Sequence, residues 1–250
     1  MELSIVIPVH NEADNLEPLV AEIEHALDRR WDYEIVYIDD GSTDDTLERL
    51  LAVAQRSSRL RVLHHRRCCG QSTALLTGVR AARAPTIGTL DGDGQNNPAD
   101  IPKLYSALLA GQSSGGLAMV AGYRAKRRDT NWRRLSSKVA NGVRAFLLRD
   151  QTPDTGCGLK VFPREVFLAL PYFDHMHRFL PALVQRAGWN VISVEVNHRP
   201  RLAGSSKYGT WHRLWVGLVD LLGVMWLQRR AKVPEVEEVL PSAPVPRRES

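Results

Sequence analysis

Thr89-Leu90-Asp91-Gly92-Asp93-Gly94-Gln95-Asn96-Asn97-Pro98 joins an apolar run to an acidic, glycine-containing turn. The residues from Thr86 to Leu90 predict a short buried strand. In extended chain the carboxylates of Asp91 and Asp93 point to the same side, roughly 6.5–7 Å apart. Gly92 and Gly94 let the backbone turn tightly, so that Asp91, Asp93 and the carbonyl of Gln95 can converge into an all-oxygen cluster. Mg²⁺ or Mn²⁺ suits such a cluster, with substrate phosphates completing the shell. The plain alternative is a solvated acidic turn. A calcium loop of the EF-hand kind is excluded, because the positions that need Gly and Glu hold Asn96 and Pro102.

Upstream, Leu3 to Val9 is a continuous apolar run and predicts a fully buried strand, with Pro8 near its end. Asn11 is placed to cap a helix in which Leu16, Leu19, Val20, Ile23 and Leu27 recur at helical spacing. Glu34 to Ile38 predicts a second strand that ends in Asp39-Asp40-Gly41-Ser42-Thr43. Ser42 and Asp45 form a capping arrangement for a helix through Leu47, Leu50, Leu51 and Ala54. Leu60 to His64 is a third strand. Gly70 opens a helix through Ala74, Leu75, Gly78, Val79 and Ala82, and Met119 to Tyr123 is a further strand. This alternation predicts βαβ units: an α/β fold whose mostly parallel sheet is flanked by helices. Ligands of such sheets bind beyond the strand C-termini. His10-Asn11-Glu12, Asp39-Asp40 and Asp91-Gly92-Asp93 all fall there, on one rim. There is no G-x-G-x-x-G after the first strand and no G-x-x-x-x-G-K-[ST], which argues against a dinucleotide fold and a P-loop.

Beyond Tyr123 the character changes. Residues 124–149 hold nine basic residues against Asp129 alone, a net +8 in a chain of net +5. Leu135, Val139, Val143, Phe146 and Leu147 keep helical spacing, so one face is core and another basic; a merely solvated basic face is the alternative. Asp154 to Phe162 is a tight glycine turn into a strand, Phe179 to Ala187 a helix, Asn190 to Val196 a strand, and Arg199 to Tyr208 a basic loop. Residues 211–230 predict a C-terminal helix. Its apolar part, Leu214 to Leu227, is too short to cross a hydrocarbon core of about 30 Å. Trp211, Trp215 and Trp226 with Arg229-Arg230 suit a helix lying in a membrane interface; an ordinary core helix is the alternative. Residues 231–250, with Pro234, Pro241, Pro244 and Pro246, predict a disordered tail. A pI near 9.3 hints at an anionic partner. Three cysteines, two adjacent, do not make a disulfide framework and point to a reduced compartment, and the N-terminus shows no secretory signal.

The chain resembles the family 2 glycosyltransferases, and within them the polyprenyl-phosphate, dolichol-phosphate-mannose-synthase-like branch. The matching pieces run in family order: Ile5 to Glu12, Asp39 to Asp44, Gly70-Gln71-Ser72, Asp91 to Gln95 with Pro98, Gly122-Tyr123-Arg124, Asp154 to Gly158, and Arg201 to Tyr208. The resemblance implies a GT-A (Rossmann-like) fold, a UDP- or GDP-linked sugar donor, inversion at the anomeric carbon and a polyprenyl phosphate acceptor. It assigns Pro8, Asn11, Glu12, Asp39 and Gln71 to the nucleoside. Asp91, Asp93 and Gln95 would hold Mg²⁺ or Mn²⁺ on the donor diphosphate. Arg124, Arg133, Ser137 and Ser206 would receive the acceptor phosphate, and Arg201, Ser206 and Lys207 lie in a loop closing over the diphosphate and acceptor. Asp154 could orient a group near the anomeric carbon, or serve a turn. Residues 1–123 would then form a nucleotide-sugar half, 124–210 an acceptor half and 211–230 a membrane-surface helix, all within one domain, 1–230.

The chemistry agrees. A lipid phosphate is already ionised near neutral pH, so the reaction demands charge on the leaving diphosphate rather than a strong base. Two departures stand out. Cys68-Cys69-Gly70 replaces the family's Asn-x-Gly. Many bacterial members carry two transmembrane helices after the Ser-Lys-Tyr loop; this chain instead resembles members on the cytoplasmic membrane face, alone or docked on a separate membrane subunit. Two other readings compete: a family 2 enzyme with a soluble or cell-envelope glycan acceptor, and a non-enzymatic basic module for nucleic acid or anionic lipid. The second explains the charge but not three acidic clusters that would repel a polyanion, so no nucleic-acid partner is expected.

Overall fold

The computed structural model describes residues 1–113, 115–125, 142, 144–148, 150, 152–199, 210–234, 236 and 237. Its described elements are β1 (Leu3–Val9), α1 (Leu16–Leu27), β2 (Tyr33–Asp39), α2 (Thr46–Ala54), β3 (Leu60–His64), α3 (Gln71–Ala81), β4 (Thr86–Thr89) and α4 (Ile101–Ser113). There follow β5 (Leu117–Tyr123), β6 (Lys160–Pro163), α5 (Arg164–Leu168), α6 (Leu180–Arg186), β7 (Asn190–Glu195) and α7 (Thr210–Arg229). The strands form one sheet of order β3-β2-β1-β4-β6-β5-β7. All neighbours are parallel except those of β6, which runs antiparallel to both β4 and β5. The stretch after residue 123 therefore shares a sheet with the stretch before it.

Both faces of the sheet are covered at its centre, which is why β1, β2 and β4 read as largely apolar runs, while the edge strands β3 and β7 are partly exposed. In β1, Leu3, Ile5 and Ile7 point into a core closed by α1 and α4, and Val6 points into the opposite core with α3, α5 and α6. On that second face α3 comes closest at Gly78, where an added Cβ would overlap the side chains of Val6 and Ile38. The half of α7 nearer its C-terminus docks here as well, burying Leu221 and Val224.

Several local expectations are corrected. Asn11 does not cap α1. It takes φ 56°, a left-handed conformation that asparagine tolerates, and a short 3₁₀ turn (Ala13–Asn15) precedes the helix. Ser42 and Asp45 do not make the cap of α2; Asp44 Oδ1 accepts from the Thr46 amide at 3.0 Å instead. Of the basic segment, the described residues 144–148 depart in part from the predicted stripe. Arg144 is buried, donating to the carbonyl of Thr152 at 2.7 Å. Leu148 is in the core, while Phe146 is 84% exposed. The three cysteines are unpaired.

Because helix and sheet leave no room at Gly78, Gly78→Val should lower stability by about 1–3 kcal/mol, read from the urea midpoint at unchanged m-value. Gly223→Ala, at an α7 position with open space around it, should be neutral or slightly stabilising.

Candidate active site

The strand C-termini enclose a cavity of about 420 Å³. Pro8, His10 and Glu12 line it after β1, Asp40 after β2, and Cys68, Gly70 and Gln71 at the start of α3. Asp91 and Asp93 line it after β4; Thr155, Gly156, Cys157, Gly158 and Lys160 come from the turn into β6, and His177 and Arg178 from the turn before α6. Of the residues singled out by sequence, the cavity thus gathers Pro8, Glu12, Gln71, Asp91 and Asp93.

Asn11 lies just outside and fastens two rim loops together. Its Oδ1 accepts from the Thr43 amide at 2.7 Å, and its own amide donates to Ser42 Oγ at 2.9 Å. Asp39 is fully buried and does not line the cavity; its carboxylate is taken by the Ser42 amide at 3.2 Å and by His64 Nδ1 at 2.7 Å. Its neighbour Asp40 is the cavity wall. It accepts from the amides of Cys69 and Gly70 at 2.9 and 2.8 Å and lies 2.7 Å from His65 Nδ1. Burial alone would raise the Asp40 carboxyl, but these hydrogen bonds outweigh it and hold the group below the usual carboxylate range.

Asp91 and Asp93 stand as predicted at the end of β4. Gln71 Nε2 donates to Asp91 Oδ1 at 2.9 Å, linking the two sides of the cavity. Burial, and then the charge of Asp93, push the Asp91 carboxyl up to about 6. The Gln95 carbonyl does not join them. It accepts from the Arg199 amide at 3.0 Å, beside a bridge between Asn96 and His198, and Gln95 is absent from the cavity wall. The remaining donor set, two carboxylates short of positive charge in a half-buried place, fits a hard divalent cation.

Arg124 and Asp154 form a fork behind the cavity: Nε to Oδ2 at 2.6 Å and Nη2 to Oδ1 at 2.9 Å. Burial works against the Arg124 charge, but this pair more than restores it and raises its pKa further. Arg133, Ser137, Arg201, Ser206 and Lys207 lie outside the described residues.

The residue that sequence reading missed is Lys160. Because β6 runs antiparallel, its first residue pairs with Thr89, the last of β4, and so reaches the rim. The ammonium is buried, donating to the carbonyls of Thr155 and Cys157, and burial draws its pKa below the ordinary lysine value. A lysine opening an apolar strand straight after a glycine turn was the available signal. Glycine is required at 158, where an added Cβ would overlap the Asp91 carboxylate. His177 is held by Ser72 Oγ at 2.8 Å, and burial drives its pKa down to about 3, so the imidazole is neutral at physiological pH. No spacing pattern announces it.

The Asp91 shift sets a stability prediction. Its folded pKa, about 6, lies above the ordinary aspartate value of 3.8, so stability is full below about pH 4 and falls as pH rises through about 6. At neutral pH the cost is on the order of 3 kcal/mol. Asp91→Asn should therefore raise the Tm of the metal-free protein at pH 7.5 by roughly 6–12 °C and lose that advantage at pH 4, while added Mn²⁺ should raise the parent Tm only.

Residues 4–170 match the family model Glycosyl transferase family 2. Dodecaprenyl-phosphate galacturonate synthase of Rhizobium johnstonii is 34% identical over 92% of this chain and 68% of its own length. Undecaprenyl-phosphate 4-deoxy-4-formamido-L-arabinose transferase of Edwardsiella ictaluri is 34% identical over 83% of this chain and 63% of its own. The chain thus spans about two thirds of the length of these curated relatives. Among solved structures, glucosyl-3-phosphoglycerate synthase from Mycobacterium tuberculosis in complex with Mg²⁺ and uridine-diphosphate has a TM-score of 0.66 at 22% identity, covering 94% of this chain and 80% of that one. That likeness is one of fold, the GT-A architecture. With the strand-end carboxylates and the matched span taken together, the chain belongs to glycosyl transferase family 2.

Proposed function

We propose that this chain transfers a sugar, with inversion, from a UDP-linked donor to a polyprenyl phosphate. The observation that carries the reading is the Asp91–Asp93 pair facing a cavity whose other walls are Pro8, Glu12, Asp40 and Gln71 on one side and Lys160 on the other. The names of the polyprenyl-phosphate relatives support the acceptor, and the uridine-diphosphate complexes of the structural neighbour support the donor.

In this reading the nucleoside lies against Pro8, Glu12 and Asp40, with Asn11 and Asp39 fixing the loops that hold them. Asp91 and Asp93 hold Mg²⁺ or Mn²⁺, which supplies counter-charge to the departing diphosphate. Gln71 fixes the Asp91 carboxylate, and Lys160 adds a buried positive charge near it. Neutral His177 can only exchange hydrogen bonds, which suits contact with an uncharged hydroxyl. Arg133 and Ser137, four residues apart, present a guanidinium and a hydroxyl to the acceptor phosphate. Arg124 carries charge behind the cavity and is steadied by Asp154. Arg201, Ser206 and Lys207 close over the diphosphate.

The membrane-surface role falls to α7. Leu218, Val219, Leu222 and Trp226 are exposed along one side of it, Trp226 at 58%, with exposed Arg229 and Arg230 at the end. Arg230 lies 6.0 Å from the Trp226 ring centroid. Among the described residues no helix is long and apolar enough to cross a membrane. An interfacial position on the cytoplasmic leaflet fits this side, with or without a membrane subunit. The side chains of Trp211 and Trp215 lie outside the described residues.

The reading is tested by incubating labelled UDP-sugars and short polyprenyl phosphates with Mg²⁺. Label should enter the butanol phase as a mild-acid-labile product, and Asp93→Ala should abolish it. Transfer only to water-soluble acceptors would overturn the lipid acceptor. Arg133→Ala should raise KM for polyprenyl phosphate about ten- to a hundredfold at near-unchanged donor KM, and Lys126→Ala should not. Arg124→Ala is a poorer probe, because it also breaks the fork with Asp154. Leu222→Glu with Trp226→Glu should prevent flotation with anionic liposomes at unchanged Tm; equal flotation would remove α7 from the membrane.

A further inference from the structure

Cys68 and Cys69 have no role in the reading above; Cys68 lines the cavity and Cys69 follows it, beside the hydrogen-bonded Asp40–His65 pair. A carboxylate oxygen of Asp40, a ring nitrogen of His65 and Sγ of Cys69 lie within 4.8 Å of one another. His65 Nδ1 is 2.7 Å from Asp40 Oδ1, and its Nε2 is 3.0 Å from Thr77 Oγ1. Cys68 Sγ lies 3.3 Å from the other Asp40 oxygen. The loop is pressed onto the end of β2: Gly41 takes φ 66°, and a Cβ there would overlap the backbone of Arg67.

We propose that Asp40, His65 and Cys69 form a zinc site, with Cys68 beside its open fourth position, and that zinc bound there closes the donor cavity. Thiolate, imidazole and carboxylate together select Zn²⁺ over Mg²⁺ or Mn²⁺, which the all-carboxylate Asp91–Asp93 pair suits better. Bonds of about 2.0–2.3 Å put tetrahedral ligands roughly 3.3–3.8 Å apart. Asp40 Oδ1 and His65 Nδ1, 2.7 Å apart, have to open by roughly half an ångström to reach that spacing, and the exposed Cys69 side chain has to leave the Arg67 carbonyl and turn inward. On binding, the Cys69 thiol releases its proton to solvent. In the metal-free pair His65 Nδ1–H donates to Asp40; on metal binding the imidazole takes the Nε2–H tautomer, which donates to the Thr77 hydroxyl and leaves the Nδ1 lone pair for the metal. Closure of the cavity rests on the nucleotide reading above: Asp40 and Cys68 are walls of the space assigned to the nucleoside.

The test uses the full chain, reduced with a phosphine and kept in excess Mg²⁺ to fill the carboxylate pair. Titration with Co²⁺ as the spectroscopic stand-in for zinc should produce a thiolate-to-cobalt charge-transfer band at one equivalent. Zinc should bleach that band, and Cys69→Ser and His65→Asn should each lose it. Zinc should also weaken UDP binding about tenfold in the parent and not in Cys69→Ser, by calorimetry. No charge-transfer band, or a band that survives both substitutions, overturns the site. Equal zinc effects on UDP binding in parent and Cys69→Ser overturn the closure. If UDP fails to bind even without zinc, the nucleotide reading fails on its own, and the cobalt band still decides the metal site.

Discussion

Two carboxylates at the end of a buried strand are electrostatically unsettled when left to themselves. Burial and mutual repulsion push Asp91 up to about 6, against the opposing charges of Lys160 and Arg124, and Lys160 is itself drawn down by burial. The fold holds this arrangement because β4 is fixed between β1 and β6, because Gln71 donates to Asp91, and because Gly158 leaves the carboxylate room. A fold that keeps such a cost at neutral pH is suited to a site completed by a cation and an anionic substrate.

Strand β6 does much of the remaining positioning. Parallel strands bring only their C-termini to the rim, so β1, β2 and β4 contribute the acidic residues. The reversed strand brings its first residue and the glycine turn before it, and with them Lys160 and the Thr155–Gly158 wall. Opposite charges thereby face one another across a single cavity. The Arg124–Asp154 fork ties the end of β5 to the start of that same turn.

The centre of the sheet was legible because β1, β2 and β4 are buried on both faces and read as largely apolar runs. So was the acidic rim, since each run stops at polar residues. Chain reversals were not legible. Nothing in a four-residue strand says that it inserts backwards between β4 and β5, and so Lys160 passed unnoticed. Asn11 looks like a cap by residue type, but the same small amide also tolerates a left-handed backbone, and the fold uses that. Gln95 looks like a metal ligand by motif, but its carbonyl answers to Arg199, a partner far away in sequence. The basic segment misled in the same way: Arg144 counted as surface charge, yet it is buried against Thr152 and Asp150.

The central claim is that the Asp91–Asp93 pair and the nucleoside wall form one site coupled through a divalent cation. Calorimetric titration of UDP, with Mn²⁺ and again with EDTA, measures that coupling directly. The account predicts binding at least about tenfold tighter with Mn²⁺, and no such gain in Asp93→Ala. Equal UDP affinity with and without the metal, or an undiminished gain in Asp93→Ala, would contradict it.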